Sequence, residues 1–471
     1  MKLVIFALIP LILSIGIAPA LNSNFLPEAD ALKSKGNLLT EIGSKKVCGD
    51  RLCSEVKNNN LYVSTATAVA ELEKQQLERM DMGIDYEKEL SLLPEHFGGV
   101  GPMTVTPSIG EVTKQYPEVY VPGTEELDKN EMRIFACGTG SPWIVPAQKG
   151  SCFLIQTGDG HNLIFDIGGG SIANLNSLGL AADDLNHIFV SHLHVDHVGD
   201  LDMFWAQGFM WGRTIPLTLH GPSSSVPELV TEYFGEHFLK TWTWDLESKR
   251  GVTHSAGYAL NVHEFDYSKT HVIYEENGLT VTSFPALHSF DGAVSYRIDW
   301  NGMSVVYSGD TTLNNYIVDN SKDADVMLLQ IFPSAKDLAI VYNTTVESAQ
   351  SLLDHYHISP PGAGALLQIS QPRVPILFHL NLFDTKTVPN ALSEIREYYD
   401  GPIIVGQDRT VVNITPDYAV ARQAQLHPAL PSSSPTAPAD EEAIHHMSDW
   451  LAENWYDLEG FKKQYQVEDL E

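Results

Sequence analysis

Short apolar runs separated by glycine-rich turns set the rhythm of the middle of this chain. Met132–Cys137, Cys152–Gln156, Leu163–Asp166 and Leu185–Val190 read as strands, and Leu217–Pro222 reads as a strand end. Val281–His288, Val294–Ile298, Met303–Tyr307, Ala324–Leu329 and Val374–His379 continue the series, and Pro402–Val405 and Val411–Thr415 close it. Apolar runs of this length, bounded by turn residues, are the pattern of buried strands. Helix starts fall between them: Asp166-Ile-Gly-Gly-Gly-Ser171 ends one strand and opens a helix, and Val198-Gly199-Asp200 opens another. Strands alternating with helices predict an α/β domain over residues 131–425.

The flanks read differently. Residues 1–20 pair Lys2 with an apolar run from Leu3 to Ile17 and end Ala18-Pro19-Ala20, the form of a signal peptide with a small-residue cleavage site. Export to the periplasm or medium is the expectation, with no membrane span after cleavage. Residues 21–130 form an N-terminal extension, helix-like over 61–82 and 86–97 and loop-rich to Asp128. Residues 426–471 hold a proline-rich linker and an amphipathic helix over 442–464 carrying Trp450, Leu451, Trp455 and Phe461. That helix is expected to fold back on the domain.

Charge narrows the partners. The chain carries a formal net charge of −31. Nucleic-acid binding rests on neutralising phosphates with Lys and Arg, so no nucleic-acid partner is expected. A small-molecule ester substrate fits better. Of the cysteines, Cys48 and Cys53 lie in the extension and are plausible disulfide partners in an exported protein. Cys137 and Cys152 flank a turn between two strands; pairing and simple burial both remain open.

The chemistry concentrates in Ser191-His192-Leu193-His194-Val195-Asp196-His197, three imidazoles and a carboxylate within a few positions. Imidazole and carboxylate are the usual zinc ligands when thiolates are absent. His192 and His194 are two apart, so extended backbone points them the same way. The cluster follows a strand, where open α/β sheets place their sites. The glycines after Asp166 do not make a dinucleotide motif and fit close backbone approach beside the histidine loop. Asp166 itself is a candidate acceptor behind a metal-bound histidine. His220 reads as structural, and adjacent His445 and His446 cannot face one way on a helix. Phe204, Trp205, Phe209, Met210 and Trp211 form an aromatic-rich patch after the loop; core is the usual meaning, with Trp205 or Trp211 as candidates to line a pocket.

His192-x-His194-x-Asp196-His197 resembles the signature of the metallo-β-lactamase-fold hydrolases. The surrounding sequence is similar to the branch holding ribonuclease Z and the arylsulfatases of that fold, and to exported hydrolases of the guanitoxin-biosynthesis type. The resemblance implies a four-layer αββα sandwich. His288, Asp310 and His379, each closing an apolar strand in the expected order, match the later metal motifs. By carry-over, His192, His194, His288 and Asp310 hold one Zn²⁺, and Asp196, His197, His379 and the shared Asp310 hold a second. Attack by a hydroxide bridging the metals would cleave a phosphate, sulfate or lactone ester. The family often forms homodimers. The same fold and first motif also serve mononuclear iron thiol dioxygenases, the alternative from another class, although a complete second site argues against one. A ribonuclease Z-like phosphodiesterase is the other alternative. There the branch recruits tRNA through a basic inserted arm; residues 222–278 here carry Lys240, Lys249, Arg250 and Lys269 against nine acids.

One departure bears on the substrate. The glutamate and histidine thought to protonate the leaving group in ribonuclease Z fall, by alignment, on Gln330 and Asn343. Amides cannot shuttle protons near neutrality, so the expectation is a substrate with a good leaving group. The amides would then be substrate-contact candidates.

Overall fold

The strand pattern of the sequence is realised as two stacked sheets. The structure, a computed structural model, describes residues 108–223, 253–380, 387–426, 453–454 and 457–466, with Gly235, His237 and Trp242 between the first two stretches. The signal-peptide, Cys48–Cys53, 61–82, 86–97 and proline-rich linker readings lie outside the described residues, as do His445, His446, Trp450, Leu451 and Trp455.

The strands run in chain order as β1 (Ser108–Gly110), β2 (Val119–Tyr120), β3 (Met132–Gly138), β4 (Cys152–Thr157), β5 (Asn162–Phe165), β6 (His187–Phe189), β7 (Leu217–Pro222) and β8 (Leu260–Phe265). Then come β9 (His271–Glu276), β10 (Leu279–Pro285), β11 (Val294–Trp300), β12 (Met303–Tyr307), β13 (Val326–Gln330), β14 (Val374–Phe378), β15 (Ile404–Val405), β16 (Thr410–Ile414) and β17 (Tyr418–Ala424). One sheet orders them β1-β17-β16-β3-β4-β5-β6-β7-β8, with β2 beside β17; the other runs β15-β14-β13-β12-β11-β10-β9. β5 to β8 are parallel, as are β12 to β15. Residues 108–120, read from sequence as part of a loop-rich extension, therefore supply two edge strands to the first sheet.

The helices are α1 (Ser171–Asn176), α2 (Val195–Val198), α3 (Leu201–Met210), α4 (Asn315–Ser321), α5 (Ala335–Val341), α6 (Val346–Tyr356), α7 (Pro360–Ser370), α8 (Thr387–Ile395) and α9 (Leu458–Tyr465). Successive side chains on a strand face opposite sides, and three cores follow from that. Met132 and Ile134 of β3 meet Val281, Ile298 and Val305 between the sheets, while Phe135 and Cys137 turn to the helices. α1 and α3 cover the first sheet, and α4, α7 and α8 cover the second. The result is the four-layer αββα sandwich.

Trp205, a pocket candidate from sequence, belongs to the core between α3 and its sheet. It is fully buried, stacks edge-on against Phe209 and donates to the Tyr258 carbonyl. Trp211 caps the far end of α3 from the histidine loop, about 15 Å along the helix axis at 1.5 Å per residue. Both aromatic candidates were placed by nearness in sequence, which a helix turns into distance. The C-terminal part of the predicted 442–464 helix is described as α9, on which Tyr465 is exposed; residues 442–452 lie outside the described residues. Among the described residues no helix is long and apolar enough to cross a membrane. Cys137 and Cys152 are free, buried thiols side by side; burial and the Cys137 thiol raise Cys152 well above the usual thiol value.

His220 packs as a structural side chain. Its ring stacks on Phe189 at 4.4 Å, and its Nε2 lies 3.1 Å from His187 Nδ1. Burial pushes its pKa down to about 3, helped by His187 and His263. The folded state therefore keeps His220 neutral, whereas the unfolded chain protonates it below pH about 6.5. Stability is full above that pH and falls as pH drops toward 3, by about 2 kcal/mol at pH 5. Denaturant melts of the parent and His220→Phe at pH 7 and 5 should show this part of the acid loss only in the parent. Equal losses would refute the assignment.

Candidate metal centre

Four loops, at the ends of β6, β10, β12 and β14, the first running into α2, bring the predicted donors together. Apolar strands lock their backbone in the sheet, so the first polar residues beyond each strand end project from a fixed rim. Asp196 and His197 sit in α2, whose short helix is anchored by Ser151 N donating to the Asp196 carbonyl and Ile167 N to the His197 carbonyl. Gly168 explains the glycine run: a Cβ there would lie 1.9 Å from the Asp196 carbonyl oxygen. His379, immediately after β14, takes a left-handed φ of 65° and donates its N–H to the Thr139 carbonyl.

Two groups of donors result. His192, His194, His288 and Asp310 form one; Asp196, His197, Asp310 and His379 form the other. In the first, His194 Nδ1 lies 3.0 Å from His192 Nε2 and 3.1 Å from His288 Nε2. Asp310 Oδ2 is 3.9 Å from His192 Nε2 and 3.8 Å from His288 Nε2. In the second, His379 Nε2 lies 3.0 Å from Asp196 Oδ2 and 3.4 Å from Asp310 Oδ2, and His197 Nε2 is 3.3 Å from Asp310 Oδ1. Ligands about 2.0–2.2 Å from a tetrahedral ion stand roughly 3.3–3.5 Å from one another. These spacings suit one cation in each group.

The polar accounting agrees. Asp196 Oδ1, His197 Nε2 and Asp310 Oδ1 are buried with no hydrogen-bond partner, a costly state unless a cation meets them. Burial, then His197 and His194, keep His192 neutral; burial also pushes His288 down to about 4. Neutral imidazole is the form that binds metal. At His197 burial opposes charge, but Asp310, Asp196 and Asp166 outweigh it and raise the imidazole well above its usual value. That spot favours positive charge.

Behind the donors, Asp166 is fully buried at a left-handed φ of 55°. It accepts from Ser191 N, Ser191 Oγ, Tyr307 Oη and His197 Nδ1, each at 2.6 Å. An Nδ1–H bond to Asp166 leaves His197 Nε2 as the lone pair facing inward. The Tyr356 carbonyl does the same for His288 through Nδ1 at 2.7 Å.

The amide pair reads differently in space. Gln330 is buried at the end of β13 and its Oε1 accepts from Thr311 N, beside Asp310. Asn343 is exposed where α5 ends, with φ 50°. The imidazole at this end of the site is His357, which the sequence reading missed. Its Nδ1 lies 3.9 Å from Asp310 Oδ2 and is buried without a hydrogen-bond partner. Its ring stacks on Phe332 at 3.8 Å and meets His288 at 5.0 Å. A signal was present: His357-Ile-Ser359-Pro360 opens α7, with Ser359 as cap accepting from Gly362 N. The Asn343-Thr-Thr345 cap of α6 mimics it one helix too early.

Sandwich and donor set together agree with the metallo-β-lactamase fold. Residues 161–380 match the family model described as "Beta-lactamase superfamily domain". Among known proteins it is similar to ribonuclease Z of Bacteroides fragilis, 31% identical over 169 residues, which span 34% of this chain and 47% of that protein. It is also similar to the anti-Pycsar protein Apyc1 of a Bacillus phage, at 26% identity over 41% of this chain and 73% of that one. The chain spans about half the length of the first of these relatives. The metallo-β-lactamase-fold protein YhfI from Bacillus subtilis aligns at a TM-score of 0.45 and 18% identity, covering 60% of this chain and all of YhfI.

Proposed function

We propose that this protein is an exported di-zinc hydrolase that cleaves a phosphate ester of a small molecule. The observation carrying this reading is the pair of donor groups joined through one carboxylate, Asp310. Two cations held there would polarise the ester and lower the pKa of a water between them. The likeness to ribonuclease Z favours phosphorus over sulfur or a carbonyl as the centre attacked. The net charge of −31 weighs against a polynucleotide. Export rests on the apolar run from Leu3 to Ile17.

The chain's own residues have distinct tasks. His192, His194 and His288 would hold one cation and Asp196, His197 and His379 the other, with Asp310 shared by both groups. Asp166 orients His197. His357 is placed to give a proton to the leaving oxygen, with Phe332 holding its ring. Burial lowers the pKa of His357 in the free enzyme. The imidazole takes up a proton from solvent as the ester binds, favoured by the negative charge of the phosphate, and that proton is the one passed to the leaving oxygen. A poor leaving group therefore stays within reach, contrary to the expectation built on Gln330 and Asn343.

Chromogenic phosphate, sulfate and carboxylate esters, assayed on metal-replete protein with and without chelator, test the reading. Chelator-sensitive turnover of phosphate esters is expected. One iron per chain with oxygen uptake on thiols would replace it with the dioxygenase, and rapid processing of precursor tRNA would overturn the small-substrate assignment. His357→Ala should slow alkyl phosphate esters by about 10²–10⁴-fold and p-nitrophenyl esters by less than about tenfold. An equal loss on both would remove His357 from the proton path.

A further inference from the structure

The cleft that opens onto the first donor group is walled on its outer side by apolar groups. It is lined by His192, His194 and His288 together with Leu193, Phe290 and Asp291. Phe290 is 57% exposed, in the loop between His288 and β11, and Leu287 beside the same histidine is 47% exposed. Large apolar side chains left in water next to a polar floor cost free energy unless a ligand covers them. The loop is shaped to present them. Gly292 adopts φ 115°, which L side chains rarely take, and Val294 N donates to the Ser191 carbonyl, tying the loop to the histidine strand. Among the described residues no lysine or arginine lines this cleft, and Asp291 would repel a negative tail.

We infer that this wall is a subsite for the organic group of the ester, and that it takes a flat apolar group without negative charge, such as an aryl ring. The inference rests on the ester-hydrolase reading and adds the substrate class. An ester whose phosphorus sits over His192, His194 and His288 has its substituent against Phe290, where ring-on-ring contact and burial favour it. Among the described residues that line the cleft, a nucleoside polyphosphate or a carboxylated tail meets Asp291 and no lysine or arginine.

Binding of non-hydrolysable phosphonates to the zinc-loaded full chain, measured by calorimetry, tests this apart from turnover. Phenylphosphonate should bind at least about tenfold tighter than methylphosphonate, the scale of apolar-pocket discrimination. Phe290→Ala should bring that ratio close to one, and Phe290→Leu should restore part of it. 4-Carboxyphenylphosphonate should bind several-fold more weakly than phenylphosphonate, and Asp291→Asn should narrow the gap. Equal binding of the phenyl and methyl compounds by the parent overturns the subsite while leaving the hydrolase reading standing. No binding of either sinks both.

Discussion

Asp310→Ala is expected to cut phosphate-ester turnover by more than about 10³-fold, beyond the 10–100-fold typical of losing a group behind a metal ligand. The reason is positional. Asp310 is the one side chain common to both donor groups, with Oδ1 toward His197 and Oδ2 toward His379 and the first group. Burial works against its charge, yet His379 and His197 hold the carboxylate well below its usual value, so it is anionic at any working pH. Removing it leaves His192, His194 and His288 with no carboxylate in their donor group and takes away the one side chain shared with the second group. Elemental analysis after dialysis should fall from two zinc ions per chain to one or fewer. Retention of two ions with activity within tenfold of the parent would show that the shared carboxylate does not join the sites.

Asp166→Ala should give the largest loss of stability, about 3–5 kcal/mol, the scale of removing one member of a buried charged network. Four donors converge on this carboxylate from β6, α2 and β12. Its loss strands the Tyr307 hydroxyl and Ser191 N–H in the core and frees His197 to turn. Zinc affinity should fall about 10–100-fold with it. Asp166→Asn keeps the shape but supplies a donor where acceptors are needed, so it should recover little. Thermal melts of the chelated protein separate the two effects. A chelated Asp166→Ala protein as stable as its parent would mean that the network carries no folding free energy.

The two expected losses trace how much of the site could be read from sequence. His192, His194, Asp196 and His197 are legible because they are close in the chain and follow a recognisable strand. His288, Asp310 and His379 are legible through the family resemblance, which the apolar run before each of them supports. The same periodicity gives an α/β domain, whereas the four-layer sandwich was implied by the resemblance to the metallo-β-lactamase fold. Asp166 was visible as a candidate, but not its four partners.

The sequence by itself determined the strands that carry the site and which imidazoles and carboxylates stand at their ends; it did not mark β1, β2, β8, β9 or β17. Only the tertiary structure decided that Trp205 is core, that Asn343 faces water, and that His357 faces Asp310. The physical reason is range. Alternation and strand ends are local consequences of backbone geometry, whereas the neighbours of a residue on a helix or between two helices depend on how distant surfaces pack. His357 lies 47 positions from Asp310 and reaches it only because α6 and α7 dock beside the second sheet.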